Sequence, residues 1–164
     1  MTNWKNRRDE DNEVEEVDAN EHSYLLFYAG GELYGTKITD VREVIAPHAP
    51  KPVADTQPWV KGIINLRGEV LVAVDLRYRL KTSQPPSKSY MVIESEKGSI
   101  ALMVDSIHAV RHYVAAEIHD RTHLQVNVKN DHFVGVGKQG AETAILLDLK
   151  KVFTEEELVQ SVGF

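Results

Sequence analysis

The chain has 164 residues, no cysteine and a formal net charge of −6. The lack of cysteine excludes disulfides and thiolate metal sites, and no apolar run approaches the roughly 18 residues that a membrane span requires. Residues 1–22 carry eight acids and three bases, so the rest of the chain is nearly neutral and lacks the basic footprint of a nucleic-acid-binding protein.

The N-terminal segment, residues 1–22, combines high charge with few apolar residues. This composition predicts an acidic disordered tail. The segment also lacks the apolar core of a secretory signal peptide, so we expect a cytoplasmic protein with no direct membrane insertion.

The next predicted element is a β-hairpin. Residues 24–28 are apolar and aromatic, Gly30-Gly31 supplies a turn, and a return strand is expected at about 33–36. The apolar residues between 38 and 45 recur at helical spacing with Thr39 as a candidate N-cap, which predicts a short helix.

A proline-rich stretch and a second hairpin follow. Four prolines fall within residues 46–58, which excludes a central strand and predicts an ordered loop or a sheet edge. Residues 62–66 and 69–74 are expected to form apolar strands around a turn at Arg67-Gly68. Residues 81–89 are polar and contain proline, and we expect them to link two halves of the chain.

The second half of the chain repeats this order of strands and turns. Strands are expected at 90–94 and 99–104, followed by a mostly irregular segment, 114–128, with one short strand. A last hairpin is expected from residues 132–136 and 143–147.

The chain closes with a predicted helix over residues 154–164, because Thr154 and Glu157 form a capping box. Many short strands at a spacing of about ten residues, with glycine at the turns, predict small β-barrels or a sandwich.

An internal repeat relates the two halves. Five residues recur at an offset of 66: Tyr24, Tyr34, Ile38, Val41 and Val44 reappear as Tyr90, Ile100, Val104, Ile107 and Val110. Gly62 and residues 73–77 recur at an offset of 73 as Gly135 and residues 146–150. A unit of about 60 residues is marginal alone, so we expect the halves to pack together. Neither copy contains a catalytic cluster, which predicts a protein that presents surfaces and is not an enzyme.

Two patterns that could indicate a cofactor have simpler explanations. Residues 135–140 read Gly-x-Gly-x-x-Gly, but the residues after them leave no room for the rest of a dinucleotide fold, so we predict a glycine turn. Four histidines recur at a spacing of four without the glutamate of a zinc protease: His108, His112, His119 and His123. We predict neither a metal nor a cofactor.

Three aspartates follow apolar strands: Asp75, Asp105 and Asp148. Paired carboxylates of this kind can perform acid–base chemistry, but capping or turn roles explain them better. No serine stands in a nucleophile elbow, so a hydrolase is also not predicted.

The most specific pattern lies within residues 58–77. It reads Gly62-Ile63-Ile64-Asn65-Leu66-Arg67-Gly68 and continues to Val74-Asp75-Leu76-Arg77. This resembles the signature of CheW-type chemotaxis coupling proteins, which is close to G-[IV]-x-N-L-R-G followed by [IV]-D-L-R. Further segments resemble other parts of the same family, at 27–35, 41–45, 101–107, 133–137 and 145–149, so the resemblance covers residues 23–153.

The resemblance implies an all-β fold of two pseudo-symmetric, SH3-like, five-stranded β-barrels with short helices, including one at the C-terminus. It implies a cytoplasmic scaffold in a two-component system, recruited to membrane receptor arrays. Such a scaffold couples the cytoplasmic tip of methyl-accepting chemoreceptors to the regulatory domain of the histidine kinase CheA.

The chain is therefore expected to have three parts: the tail 1–22, a CheW-like domain 23–153, and the C-terminal helix 154–164. Two divisions of the domain stay open. In one, the first barrel is about 37–85 and the second combines 23–36 with 88–150; the other is a simple split into 23–85 and 88–150.

Four residues match the family's receptor-groove positions: Val41, Glu43, Gly62 and Arg67. We expect Glu43 and Arg67 to form an exposed ion pair that contributes only about 0–1 kcal/mol to stability and orients Arg67 for hydrogen bonds to a helical partner. The alternative is that Arg67 is only a turn residue. The motif also contributes structural residues: Asn65, Leu66, Gly68, Asp75, Leu76 and Arg77.

Other functions stay open at this point. The chain could be a CheW-fold adaptor for a non-motility receptor–kinase pathway, or a fragment of a larger CheW-containing protein. A metal-dependent or nucleotide-dependent enzyme is the third class.

Overall fold

The computed structural model describes residues 22–95, 98–120 and 132–152. The predicted tail, apart from His22, and the predicted C-terminal helix 154–164 lie outside the described residues. The strands within them are β1 (Ser23–Ala29), β2 (Glu32–Lys37), β3 (Val41–Ile45), β4 (Val60–Leu66), β5 (Glu69–Asp75), β6 (Ser89–Ser95), β7 (Gly98–Val104), β8 (Ser106–His112), β9 (Ile118–Asp120), β10 (Phe133–Gln139) and β11 (Glu142–Leu147). Two four-residue helices, α1 (Leu76–Arg79) and α2 (Leu149–Val152), follow β5 and β11.

These strands form two sheets. The first sheet has the order β8-β1-β2-β11-β10-β9 and the second sheet has the order β3-β6-β7-β5-β4. Neighbouring strands are antiparallel except for β2 with β11 and β5 with β7, which are parallel. Each sheet therefore contains two hairpins or hairpin-like pairs joined through one parallel contact.

The strand registers of the two sheets are copies of each other. Gly62 pairs with Ala73 in the second sheet, and the residues 73 positions later, Gly135 and Leu146, pair in the first. The same register shift stands beside both pairs. The predicted repeat is thus a structural one, and the two sheets are pseudo-symmetric.

Each sheet combines the first two strands of one repeat with later strands of the other. β6 and β7 pair with β3 and β5, so residues 89–104 share a sheet with residues 41–75. This differs from both predicted divisions, which grouped 88–104 with the residues that follow. The reason is that two short connections, Ile38–Asp40 and Asp105, carry the chain directly from one sheet into the other.

The buried apolar side chains of the described residues form three clusters. One cluster belongs to the second sheet and includes Leu71 and Val92, and another belongs to the first sheet and includes Leu26 and Tyr113. The largest cluster draws residues from both sheets, among them Leu25, Phe27, Val41, Val74, Leu102 and Leu147. Because this third cluster is shared, the two halves bury their apolar surface together, as the small size of each repeat requires.

Two ion pairs indicate that each sheet is curled into a barrel. Arg42 on β3 contacts Glu69 on β5 at 2.8 Å, and Arg111 on β8 contacts Glu142 on β11 at 3.0 Å. In both sheets these strands are three positions apart, about 14 Å in a flat sheet. Such contacts require the edge strand to bend back toward the strand it contacts.

The helix predicted between residues 38 and 45 is wrong. A single 3-10 turn, Ile38–Asp40, is followed by β3, in which Val41, Glu43 and Ile45 are buried and the residues between them are partly exposed. The proline-rich stretch 46–58 does cover a sheet edge, because Lys51 exchanges two backbone hydrogen bonds with Ile63 on β4. None of the described helices is long and apolar enough to cross a bilayer.

Candidate partner-binding site

The turn between β4 and β5 projects Arg67 from the second sheet. Arg67 and Gly68 both have positive φ angles, 52° and 85°, which is the requirement of the two-residue turn that fits a twisted hairpin. The Asn65 Oδ1 atom accepts a hydrogen bond of 3.0 Å from the Gly68 amide and so closes the turn. The motif residues Asn65 and Gly68 thus shape the turn that carries Arg67.

Arg67 is held by Glu43 from the edge strand β3. The Arg67 Nη2 atom donates to both carboxylate oxygens of Glu43, at 2.6 Å and 2.9 Å. The structure therefore brings together the two residues predicted to pair, although the pair is not fully exposed: the Glu43 side chain is 9% exposed and that of Arg67 is 60% exposed. A buried carboxylate anchors an arginine that faces solvent.

A second arginine also holds Glu43. Arg42 Nε donates to Glu43 Oε2 at 3.1 Å, while its terminal nitrogens bind Glu69 at 2.8 Å and 3.1 Å and Ser99 Oγ at 2.9 Å. Burial raises the pKa of Glu43, but the hydrogen bonds from Arg67 and Arg42 outweigh it and hold the pKa below the ordinary value. Glu43 is therefore ionised at neutral pH.

The other two predicted receptor-groove residues do not present side chains to a partner. Val41 is fully buried in the core cluster shared by the two sheets. Gly62 has a φ of +142°, and a Cβ atom there would lie 2.1 Å from the Lys51 carbonyl oxygen. Val41 therefore fixes β3 against the rest of the molecule, and Gly62 permits the close approach of the proline-rich stretch.

The Asp-Leu-Arg end of the motif is a buried junction. Arg77, 3% exposed, binds the Asp75 carboxylate at 2.9 Å and 3.2 Å and Asp105 Oδ1 at 3.1 Å, and it also donates to the Pro85 carbonyl. Asp105 in turn accepts from the Gly31 amide at 2.9 Å. Burial works against the charged form, but the hydrogen bonds to Asp75 and Asp105 raise the pKa of Arg77 overall.

The Gly-x-Gly-x-x-Gly segment is a β-hairpin, as predicted. A Cβ atom at Gly137 would lie 2.5 Å from the Tyr113 ring, and one at Gly135 would lie 2.7 Å from the His119 carbonyl oxygen. Gly140 occupies the turn with a φ of +59°. The three glycines therefore serve a turn and two close approaches.

The predicted histidines are dispersed. His108 Nε2 lies 2.8 Å from Glu142 Oε2, His112 Nδ1 lies 3.4 Å from Ser23 Oγ, and His123 falls outside the described residues. Among residues 22–95, 98–120 and 132–152, no three potential ligands of this kind form a metal-sized cluster.

An open pocket of about 390 Å³ lies beside the Arg67 turn. Its lining comprises His48, Ala49, Lys51, Ile63, Ile64, Asn65 and Val70. The lining therefore combines apolar side chains, among them Ile63 and Val70, with the basic residue Lys51.

The repeat provides an internal control for the Arg67 site. In the second copy the positions of Glu43, Asn65 and Arg67 are taken by Ala109, Lys138 and Gly140. Both hairpins fold and pair in the same register, so the fold does not need the Glu43–Arg67 pair. Because only one copy carries the Glu43–Arg67 pair, this pair can serve a role other than folding.

Sequence reasoning missed Arg42, Glu69 and Ser99. The repeat held a signal for two of them, because Arg42 corresponds to His108 and Glu69 corresponds to Glu142, and each copy joins its two residues. Ser99 left no comparable signal, because its contact with Arg42 depends on the curling of the sheet.

A family model described as the CheW-like domain matches residues 23–157, most of the chain. The chain belongs to the CheW-like domain family. Chemotaxis protein CheW of Klebsiella aerogenes is 27% identical over 138 residues, covering 82% of this chain and 83% of that relative. Chemotaxis protein CheW of Treponema pallidum is 24% identical over 149 residues, covering 87% and 88%.

A solved structure shares the fold. The crystal structure of scaffolding protein TtCheW from Thermoanaerobacter tengcongensis matches with a TM-score of 0.73 at 24% identity, over 83% of this chain and 94% of that chain. This match, with the two curled sheets, confirms the predicted pair of SH3-like barrels of the CheW-like family.

Proposed function

We propose that this CheW-like chain is a non-catalytic coupling scaffold that links the cytoplasmic tip of chemoreceptors to the regulatory domain of the histidine kinase CheA. Membership of the family supports the adaptor role. The relatives matched over most of their length are named chemotaxis proteins, which favours chemotaxis over a non-motility pathway.

The observation that carries the receptor half of the proposal is the Glu43–Arg67 pair. A buried carboxylate that fixes an exposed arginine limits the orientations of the guanidinium and leaves donors facing solvent. The second barrel has neither residue. Glu43 also lies two residues after Val41 on β3, and Val41 belongs to the core cluster shared by the two sheets. The Glu43–Arg67 pair therefore lies beside the core shared by the barrels. We place the receptor tip at this border.

The kinase half of the proposal uses the pseudo-symmetry. Two barrels of one fold offer two related faces, so one chain can contact two partners at once. Individual contacts of micromolar strength then become strong through effective concentration when many copies assemble. We propose that such assembly recruits the chain from the cytoplasm to receptor arrays at the membrane.

The substitution Arg67→Ala tests the receptor site. We expect affinity for a soluble cytoplasmic fragment of a chemoreceptor to fall about tenfold or more, because charged hydrogen bonds to the partner are lost. The melting temperature should fall only slightly, because Arg42 still pairs with the buried Glu43 carboxylate. Lys138→Ala, on the equivalent hairpin of the second barrel, is the matched control and should bind normally. Undiminished binding by Arg67→Ala in calorimetry would exclude this site.

A three-component assay tests the coupling itself. CheA autophosphorylation is measured with receptor fragment alone, with this chain alone, and with both. We expect receptor-dependent control of the kinase only when all three components are present. Equal kinase control with and without this chain would contradict the proposed function.

A further inference from the structure

Arg42 binds three side chains beside the Arg67 turn. It donates to Glu43 through Nε, to both oxygens of Glu69 through its terminal nitrogens, and to Ser99 on β7. Glu69 is the first residue of β5, immediately after the Arg67-Gly68 turn. Arg42 therefore binds a carboxylate that lies two residues after Arg67 in the sequence.

Arg67 itself is incompletely used. Its two hydrogen bonds to Glu43 both come from Nη2, and its Nε and Nη1 atoms bind none of the other described residues. The Glu69 side chain is 43% exposed and sits within the electrostatic reach of Arg67. Hydrogen bonds from Arg42 are the main cause of the lowered pKa of Glu69, and the charge of Arg67 adds to that effect.

We propose that Arg42 is a positioning residue for partner binding: by holding Glu69, it prevents this carboxylate from capturing the free donors of Arg67. The inference rests on the proposed function, because it assumes that a partner uses Arg67. It also names the chemistry of the partner. Arginine has donors only, so the partner must supply acceptor oxygens, from carboxylates or main-chain carbonyls.

The second barrel has an equivalent of the Arg42–Glu69 contact but no arginine at its turn. His108 and Glu142 occupy the positions of Arg42 and Glu69 and contact each other at 2.8 Å, and Arg111 also binds Glu142. The turn there carries Gly140 instead of an arginine. The contact itself is therefore a feature of both barrels, whereas its effect on binding is confined to the barrel that carries Arg67.

A cycle of variants tests the inference. Arg42→Met releases Glu69, and we expect affinity for the chemoreceptor fragment to fall about three- to tenfold. Adding Glu69→Gln removes the negative charge that attracts Arg67, so the Arg42→Met/Glu69→Gln double variant should regain most of the lost affinity. A purely structural role of Arg42 would not be rescued in this way, because the second substitution restores no contact. The Glu69→Gln single variant completes the cycle.

His108→Ala is the matched control, since it removes the counterpart of Arg42 on the second barrel and should leave receptor affinity intact. Loss of affinity in Arg42→Met that Glu69→Gln does not restore would overturn the inference, as would undiminished affinity in Arg42→Met while Arg67→Ala still abolishes binding. Undiminished affinity in Arg67→Ala would instead overturn the receptor site itself, so the two failures are distinguishable.

Discussion

Glu43 is the residue on which the proposed binding site depends, because its buried carboxylate binds both Arg42 and Arg67. Six hydrogen bonds made by Glu43 and Arg42 hold Arg67 and the residues around it in place. A buried ion is costly unless paired, and here one partner is the neighbouring residue on β3 and the other comes from the β4–β5 turn. The Glu43–Arg67 pair therefore adds modestly to stability, and it fixes the orientation of the exposed Arg67 guanidinium.

Acid should selectively remove this contribution. The folded-state pKa of Glu43 is lowered, so its stabilisation is complete above the unfolded value of about 4.3 and is lost as pH falls through the lower folded value. We expect Glu43→Gln to destabilise the protein by about 1–2 kcal/mol at pH 7. The difference should shrink below about pH 4.

Urea denaturation of the unsubstituted protein and of Glu43→Gln, at pH 7 and at pH 3.5, measures the difference in their free energies of unfolding. Comparing the two proteins cancels the titration of the other carboxylates. A gap that stays constant across this range would show that the charge of Glu43 contributes nothing to the fold.

At the scale of elements, β3 explains why part of the site escaped sequence reasoning. Val41, Glu43 and Ile45 all point inward, but a glutamate at an inward position breaks the apolar alternation that predicts a strand. The remaining apolar residues then coincide with helical spacing. The buried glutamate of the proposed binding site thus hid the strand that carries it, and functional sites are where local sequence rules are expected to fail.

The β10–β11 hairpin yields a prediction about its glycines. Gly137→Ala places a methyl group 2.5 Å from the Tyr113 ring and should cost about 1–3 kcal/mol through overpacking. Gly140→Ala meets no atom within 4 Å and should cost only about 1 kcal/mol, from its left-handed backbone. Chemical denaturation of both variants gives the comparison, and equal losses would contradict the packing explanation.

For the whole molecule, the sequence predicted the repeat, the barrels and the hairpins but not the exchange of strands between them. Offsets of 66 and 73 reveal which residues are equivalent. They contain no information about whether β7 pairs with β5 or with β11, because the two copies offer the same apolar faces. The parallel contact between Val72 and Ile100 settles the pairing, and it joins segments that only the folded chain brings together.

Arg77 should contribute far more to the free energy of unfolding than its counterpart Lys150, although both residues end the same motif. Arg77 is almost fully buried and ties the end of β5 to Asp105, to the linker at Pro85 and, through Asp105, to the β1–β2 turn. Lys150 is 70% exposed and reaches Asp40 at 3.5 Å. The first network spans both sheets, while the second is an ion pair at the surface.

We therefore expect Arg77→Met to destabilise the protein by about 3–5 kcal/mol, because two aspartates and a carbonyl lose a buried cation. Lys150→Met should cost no more than about 1 kcal/mol. Urea denaturation followed by tryptophan fluorescence measures both variants. Because the two sheets share their largest core cluster, both variants should still unfold in a single transition. Similar losses for the two variants would mean that the junction, despite its burial, does not hold the barrels together.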